Sequence, residues 1–240
     1  MELAKQFIDV GLFTNQLDQM REFYGERIKL PYESMLPLGG GLRQYRYGML
    51  GSVLKINHAR DPLPARRLGG YQRLTISDRR VIAPFVFADP DGNQVTLVPS
   101  GQRGIGQIEV HLGVTDEAAF VKFYGEVLGA EQIGSENRFR IGESIVSFAT
   151  DAAAVKFDGS GPMTAMEAIA TMRAVGLGYI TIQVRDCDAA HRAAPAKGAW
   201  EGSAPMTLGD VARLSFIRDP DGNFIELSQR AAEGEALPKG

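Results

Sequence analysis

Apolar and polar positions alternate from Ile8 to Phe13, and Leu17, Met20, Tyr24 and Ile28 then recur at helical spacing. The chain is therefore expected to open with a strand followed by an amphipathic helix. One hundred residues later the succession returns. An alternating segment runs from Ile105 to Asp116, and Phe120, Val121, Tyr124, Val127 and Leu128 follow at helical spacing. Thr115 and Asp116 suit a helix cap, and Gly129 suits its stop. Short strand-like runs come after each helix, at Gln44 to Tyr47, Ser52 to Asn57, Arg138 to Ile141 and Ser144 to Ala149. The predicted unit is strand, helix, then strands.

Exact repeats strengthen this reading. Phe23-Tyr24-Gly25-Glu26 returns as Phe123-Tyr124-Gly125-Glu126, and Asp89-Pro90-Asp91-Gly92-Asn93 returns as Asp219-Pro220-Asp221-Gly222-Asn223. Between them Leu74-Thr75-Ile76-Ser77-Asp78 matches Ile182-Gln183-Val184-Arg185-Asp186 in pattern. The offset is 100, then 108, then 130 residues, so the two halves read as copies of unequal length. Each Asp-Pro-Asp-Gly-Asn run is turn chemistry. It predicts one hairpin from Val81 to Phe87 with Gln94 to Val98, and another from Val211 to Ile217 with Phe224 to Ser228. The extra residues of the last unit hold a helix-like run, Cys187 to Lys197, and a strand near Trp200; the second unit has no room for either and reads as a truncated copy. Phe157 to Pro162 reads as a flexible loop, Met163 to Val175 as a helix that is either a lid or a connector, and Ala231 to Gly240 as a frayed tail.

Composition narrows the function classes. The chain has 240 residues, 44% of them hydrophobic and 23% charged, as expected for one or two folded domains. A formal net charge of -3 gives no general electrostatic basis for nucleic-acid binding. The single cysteine, Cys187, forms no internal disulfide, and no cysteine cluster is available for structural zinc, which fits a reducing, cytoplasmic setting. No signal peptide is evident. The longest nearly apolar stretch, Val81 to Ala88, is far short of the ~20 residues of a membrane helix. Dinucleotide, phosphate-loop, nucleophile-elbow and zinc-protease motifs are lacking, so no nucleotide cofactor is expected.

The helix segment Phe123 to Gly129 and the final hairpin Asp219 to Leu227 resemble the vicinal oxygen chelate superfamily, which includes glyoxalase I, extradiol dioxygenases and bleomycin resistance proteins. The resemblance spans roughly residues 5 to 230 and implies an α+β fold of four βαβββ modules, paired into two cupped, barrel-like sheets, the second module truncated. Residues 1–100 are expected to hold one degenerate pair and residues 101–230 the other, with the active pocket in the latter.

The resemblance also locates candidate ligands. The family places one ligand on the first strand of a module, seven residues before the Asp that precedes the helix. In this chain the count gives Asp9, Tyr71, Glu109 and Tyr179. The other ligand follows the Gly-Asn of the last hairpin, at Glu226 and, in the second module, Thr96; in the remaining modules the match falls near Lys55 and Val146. Only Glu226 is the usual ligand type, and Glu109 and Tyr179 stand where ring-cleaving members carry histidines. His111, two residues beyond Glu109, shares its strand face. Glu109, His111 and Glu226 are thus expected to converge, either around a divalent ion (Fe, Mn, Zn, Ni or Mg) or as a metal-free acid/base set with Glu109 and Glu226 catalytic. His111, Tyr179 and Gln183 are the candidate substrate-binding residues.

Other residues carry alternatives. Arg60, Arg66, Arg67, Arg73, Arg79 and Arg80 either capture an anionic substrate group or form a solvated loop. Glu226 has a structural reading as a partner of Arg213, His191 one as a surface residue, and His58 one as a strand end. Cys187 at a helix start is open to a lowered thiol pKa. The expected function is an enzyme of lyase, isomerase or ring-cleavage type acting on a small oxygenated molecule, as a monomer or homodimer. The alternative is a resistance-type protein that binds and sequesters without turnover.

Overall fold

The structure is a computed structural model and describes residues 1–157, 161–231 and 237. Most of the predicted tail and residues 158–160 of the predicted loop lie outside the described residues. The first module is β1 (Asp9–Thr14), α1 (Leu17–Arg21), β2 (Tyr32–Gly39), β3 (Leu42–Met49) and β4 (Ser52–Ala59). The second has only β5 (Gly70–Ser77), β6 (Phe85–Ala88) and β7 (Gln94–Val98). The third is β8 (Ile108–Val114), α2 (Glu117–Lys122), β9 (Glu131–Gln132), β10 (Arg138–Ile141) and β11 (Ser144–Thr150). After α3 (Ala165–Met172) comes the fourth, β12 (Gly176–Gln183), α4 (Cys187–Ala196), β13 (Trp200–Leu208), β14 (Ala212–Arg218) and β15 (Phe224–Arg230). The truncation of the second module is as expected, but β6 begins four residues later than predicted. Pro84 ends the non-strand run before it, in which Ile82 is almost fully exposed.

Both Phe-Tyr-Gly-Glu tetrads sit in π-helical turns, Glu22–Arg27 and Phe123–Val127, that continue α1 and α2. The Ile28 amide donates to Phe23 O and Leu128 to Phe123 O, five residues back, and Leu30 and Ala130 close the turn onto Tyr24 O and Tyr124 O. The closing residue has positive φ in both copies, 67° at Lys29 and 69° at Gly129. The repeat therefore preserves a backbone device, which turns Tyr24 and Tyr124 fully into the core.

The strands form two sheets, ordered β13-β14-β15-β12-β1-β4-β3-β2 and β6-β7-β5-β8-β11-β10-β9. We call them sheet 1 and sheet 2. Sheet 1 joins the first module to the fourth through antiparallel β1 and β12, and sheet 2 joins the second to the third through antiparallel β5 and β8. This corrects the expectation that residues 1–100 and 101–230 would each supply a self-paired cup. The short link from β7 to β8 brings the third module back beside the second, so the first and fourth are left to pair with each other.

Alternate strand residues separate the core from the cups. Val10, Leu12, Leu54, Ile56, Ile180 and Ile182 of sheet 1 share one continuous core with Leu74, Ile76, Val110 and Leu112 of sheet 2 and with Met20, Phe120 and Cys187 of the helices. Their strand neighbours face the two cups. The Asp-Pro-Asp-Gly-Asn turns tie the sheets together. Asp91 of the second module accepts from Gln16 of the first at 2.6 Å, Asp89 accepts from the Tyr24 hydroxyl at 2.8 Å, and Asn93 accepts from the Leu177 amide at 3.0 Å. In the other copy Asp221 accepts from the amide and hydroxyl of Thr115 at 2.8 and 2.5 Å.

Candidate functional site

The cup of sheet 1 holds a largely apolar cavity of about 120 Å³. Phe13, Leu42 and Phe216 form its walls, and Met166, Ile169 and Met172 of α3 lie over it. That gives the predicted helix the covering position, over fewer residues than expected. A cavity of ~150 Å³ takes a benzene-sized guest. The polar floor comes from the strand centres. Lys55 of β4 donates to Thr181 Oγ1 at 2.6 Å and to the two Glu226 oxygens at 3.3 and 3.1 Å, and its side chain is 2% exposed. Glu226 also accepts from the Thr181 hydroxyl at 3.2 Å. Burial lowers the Lys55 pKa from the ordinary lysine value, while Glu226 and Asp9 act to keep its proton. Asp9 is fully buried; burial works to raise its carboxyl, but Lys55 and Lys5 hold it below the usual carboxylate range. It accepts from Lys5 at 2.6 Å, the Val53 amide at 2.8 Å and Gln183 at 3.0 Å.

Above this floor, Asn57 donates to the Tyr179 hydroxyl at 3.3 Å, and burial and the nearby Glu226 charge push the phenol well above its ordinary pKa. The Tyr179 ring lies directly on Gly11, its register partner across β1 and β12. A Cβ at Gly11 would clash with the Cε1, Cζ and Cδ1 edge of the ring, so glycine is needed for close approach. Gly11→Ala is expected to displace Tyr179 and destabilise the protein by about 1–3 kcal/mol through overpacking, measured by denaturant unfolding. Ser228 also lines the cavity, fully buried, and its hydroxyl has no partner among the described residues.

The cup of sheet 2 is wider and polar, about 450 Å³, and opens between Arg73, Arg103, His111 and Glu136. At its floor Glu109 accepts from Arg138 at 2.6 Å and from the Ser147 hydroxyl at 2.6 Å, and both side chains of the ion pair are under 10% exposed. His111 Nδ1 lies 2.9 Å from Ser147 Oγ. Burial, reinforced by the Arg73 charge, lowers the imidazole to about 4, so the ring is neutral near pH 7.

Residues 104–227, just over half of the chain, match the Glyoxalase/Bleomycin resistance protein/Dioxygenase superfamily. The chain belongs to this superfamily. Glyoxalase I from Zea mays, in a mutant form, shares the fold with a TM-score of 0.69 at 12% identity, covering 95% of this chain and 93% of its own. A putative dioxygenase from Bacillus subtilis gives 0.67 at 11% identity over 97% and 87%, and the cppA protein from Streptococcus pneumoniae 0.52 at 11% over 95% and 100%. No curated protein matches the sequence.

Glu109 and His111 share a face of β8 in sheet 2, as predicted, but Glu226 lies in sheet 1, so the expected cluster Glu109, His111 and Glu226 does not form. The expectation of a metal held by these three is corrected for that reason. Neither floor suits a divalent ion. A lysine ammonium stands between Glu226 and Asp9, a guanidinium and a serine occupy Glu109, and His111 turns Nδ1 to Ser147. Among the described residues no three His, Cys, Asp or Glu side chains gather at one point. Tyr179 and Gln183 do share the sheet-1 cup with Glu226.

Tyr71 leaves the expected position because a bulge between Tyr71 and Arg73 turns it into the core, where its hydroxyl donates to Phe224 O at 3.0 Å. Val146 faces the core too, and its neighbour Ser147 faces the cup. Arg213 pairs with Asp188 at 2.6 Å rather than with Glu226. His191 is buried, 3.2 Å from Glu201, not a surface residue. Burial pushes the Cys187 thiol up to about 11, against the helix-start effect. The arginine-rich stretch divides. Arg60 and Arg80 pair with Asp61 and Asp78, Arg66 donates to Gly92 O, and Arg67 stacks on Phe157. Arg73 reaches a cup. Among the described residues no helix is long and apolar enough to cross a membrane.

Proposed function

We propose that the sheet-1 cup takes a small, mostly apolar molecule carrying a carbonyl oxygen, and that the protein moves a proton on the carbon beside that carbonyl. The Lys55–Glu226 pair on the floor of an otherwise apolar cavity carries this reading. The Lys55 ammonium supplies positive charge toward the developing enolate oxygen, the role a cation plays elsewhere, and Glu226 takes the proton. The unpartnered Ser228 hydroxyl and the Tyr179 hydroxyl orient the oxygen. Chain topology makes the cup from two distant modules of one chain, and a cytoplasmic setting suits its free, buried cysteine.

A second reading, sequestration without turnover, is favoured by Glu226 already having both oxygens engaged by Lys55 and one by Thr181. One experiment separates the two. Chelator-dialysed protein is incubated in D2O with a panel of small aryl ketones, and loss of the proton next to the carbonyl is followed by NMR. Acid/base work predicts exchange without added metal, falling at least ~10²-fold in Glu226→Gln. Saturable binding with no exchange supports sequestration, and exchange that appears only on adding a divalent ion refutes the metal-free reading.

A further inference from the structure

The second cup is independent of the reading above. Three guanidiniums, Arg73, Arg103 and Arg138, face two carboxylates, Glu109 and Glu136, so the rim keeps one positive charge in excess. Arg138 is engaged by Glu109 at 2.6 Å and lies 3.6 Å from Glu136, and Arg103 also lies 3.6 Å from Glu136. The Arg73 side chain makes no hydrogen bond or ion pair with any described residue, although it is only partly exposed. It is paired in register with His111 across β5 and β8, so the two side chains are neighbours on the cup face.

Donor accounting fixes what His111 offers. The Ser147 hydroxyl has one proton, and it lies 2.6 Å from a Glu109 oxygen that has none to give while paired with Arg138. The Ser147 oxygen therefore accepts from Nδ1–H of His111 at 2.9 Å. The lone pair of the neutral ring is then on Nε2, which has no partner among the described residues and lines the opening. An unpaired guanidinium thus stands beside an unpaired imidazole acceptor.

We propose that the sheet-2 cup binds a small 2-hydroxy carboxylate, its carboxylate on the Arg73 guanidinium and its hydroxyl donating to Nε2 of His111. A carboxylate without the hydroxyl leaves Nε2 unpaired, and an alcohol without the carboxylate leaves Arg73 unpaired. The probes are glycolate and acetate, titrated into the whole protein while the ring resonances of His111, one of three histidines, are followed by NMR. Glycolate is expected to shift His111 saturably and to bind about tenfold or more tightly than acetate. Arg73→Gln, which removes no internal hydrogen bond or ion pair, is expected to weaken glycolate by about tenfold or more with unchanged near-UV circular dichroism. His111→Phe is expected to bring glycolate down to the level of acetate. Absence of a saturable shift, equal affinity for the two probes, or full glycolate affinity in Arg73→Gln would each overturn the proposal.

Discussion

Lys55→Met is expected to be among the most damaging single substitutions in this protein, costing about 3–5 kcal/mol of stability. Methionine approximates the lysine stem and removes the ammonium, so the effect isolates charge rather than volume. The loss follows from what remains: Glu226, about 10% exposed, keeps Thr181 as its only hydrogen-bond donor among the described residues, and fully buried Asp9 loses one of its two cations. For a chain of this size the midpoint of thermal unfolding should fall by about 6–20 °C. Glu226→Leu in the same background is expected to recover most of the loss, because a buried pair replaced by apolar groups of similar volume is often neutral or stabilising. A double-mutant cycle read by denaturant unfolding gives the coupling directly. A loss below about 1 kcal/mol, the range of exposed pairs, would show that the ion pair is far better solvated than its burial implies. It would also weaken the case for Lys55 as a poised charge in the cup.

Local chemistry was the most legible part of the fold. The Phe-Tyr-Gly-Glu and Asp-Pro-Asp-Gly-Asn repeats mark fixed backbone devices, five-residue helical turns at Phe23 and Phe123 and carboxylate-held turns at Asp89 and Asp219. Both leave their signature within a few residues. The pairing of β1 with β12 leaves none, since Val10 and Ile180 are distant in sequence and the central strands of both sheets carry the same apolar alternation. Module partnership was therefore out of reach, and with it the separation of Glu109 from Glu226.

The count along the first strand reached the cup face at Asp9, Glu109 and Tyr179, where pairing is regular enough to keep parity. It failed at Tyr71 because a single bulge reverses the face of everything beyond it. The overlooked chemistry was a cation. Lys55 sits inside the run Val53-Leu54-Lys55-Ile56, which reads as a buried strand, and a lysine there needs a partner carboxylate. That signal was present in the sequence, but its partner lies 171 residues away.

The same logic operates in the second cup, which makes Arg138→Met the other large expected effect. Arg138 and Glu109 are 8% and 7% exposed and meet at 2.6 Å, so removing the guanidinium strands a carboxylate whose only other donor among the described residues is Ser147. A loss of about 3–5 kcal/mol is expected at neutral pH. Glu109→Gln in the same chain should restore most of it, because it removes the uncompensated charge. Denaturant unfolding of the single and double variants checks both statements. The variant also cancels the positive excess of the rim, leaving Arg73 and Arg103 against Glu109 and Glu136. Glycolate affinity should therefore fall together with stability in Arg138→Met and recover in the double variant, whereas Arg73→Gln lowers affinity alone. A cup that served only to hold the sheet together would show the stability changes without the binding changes.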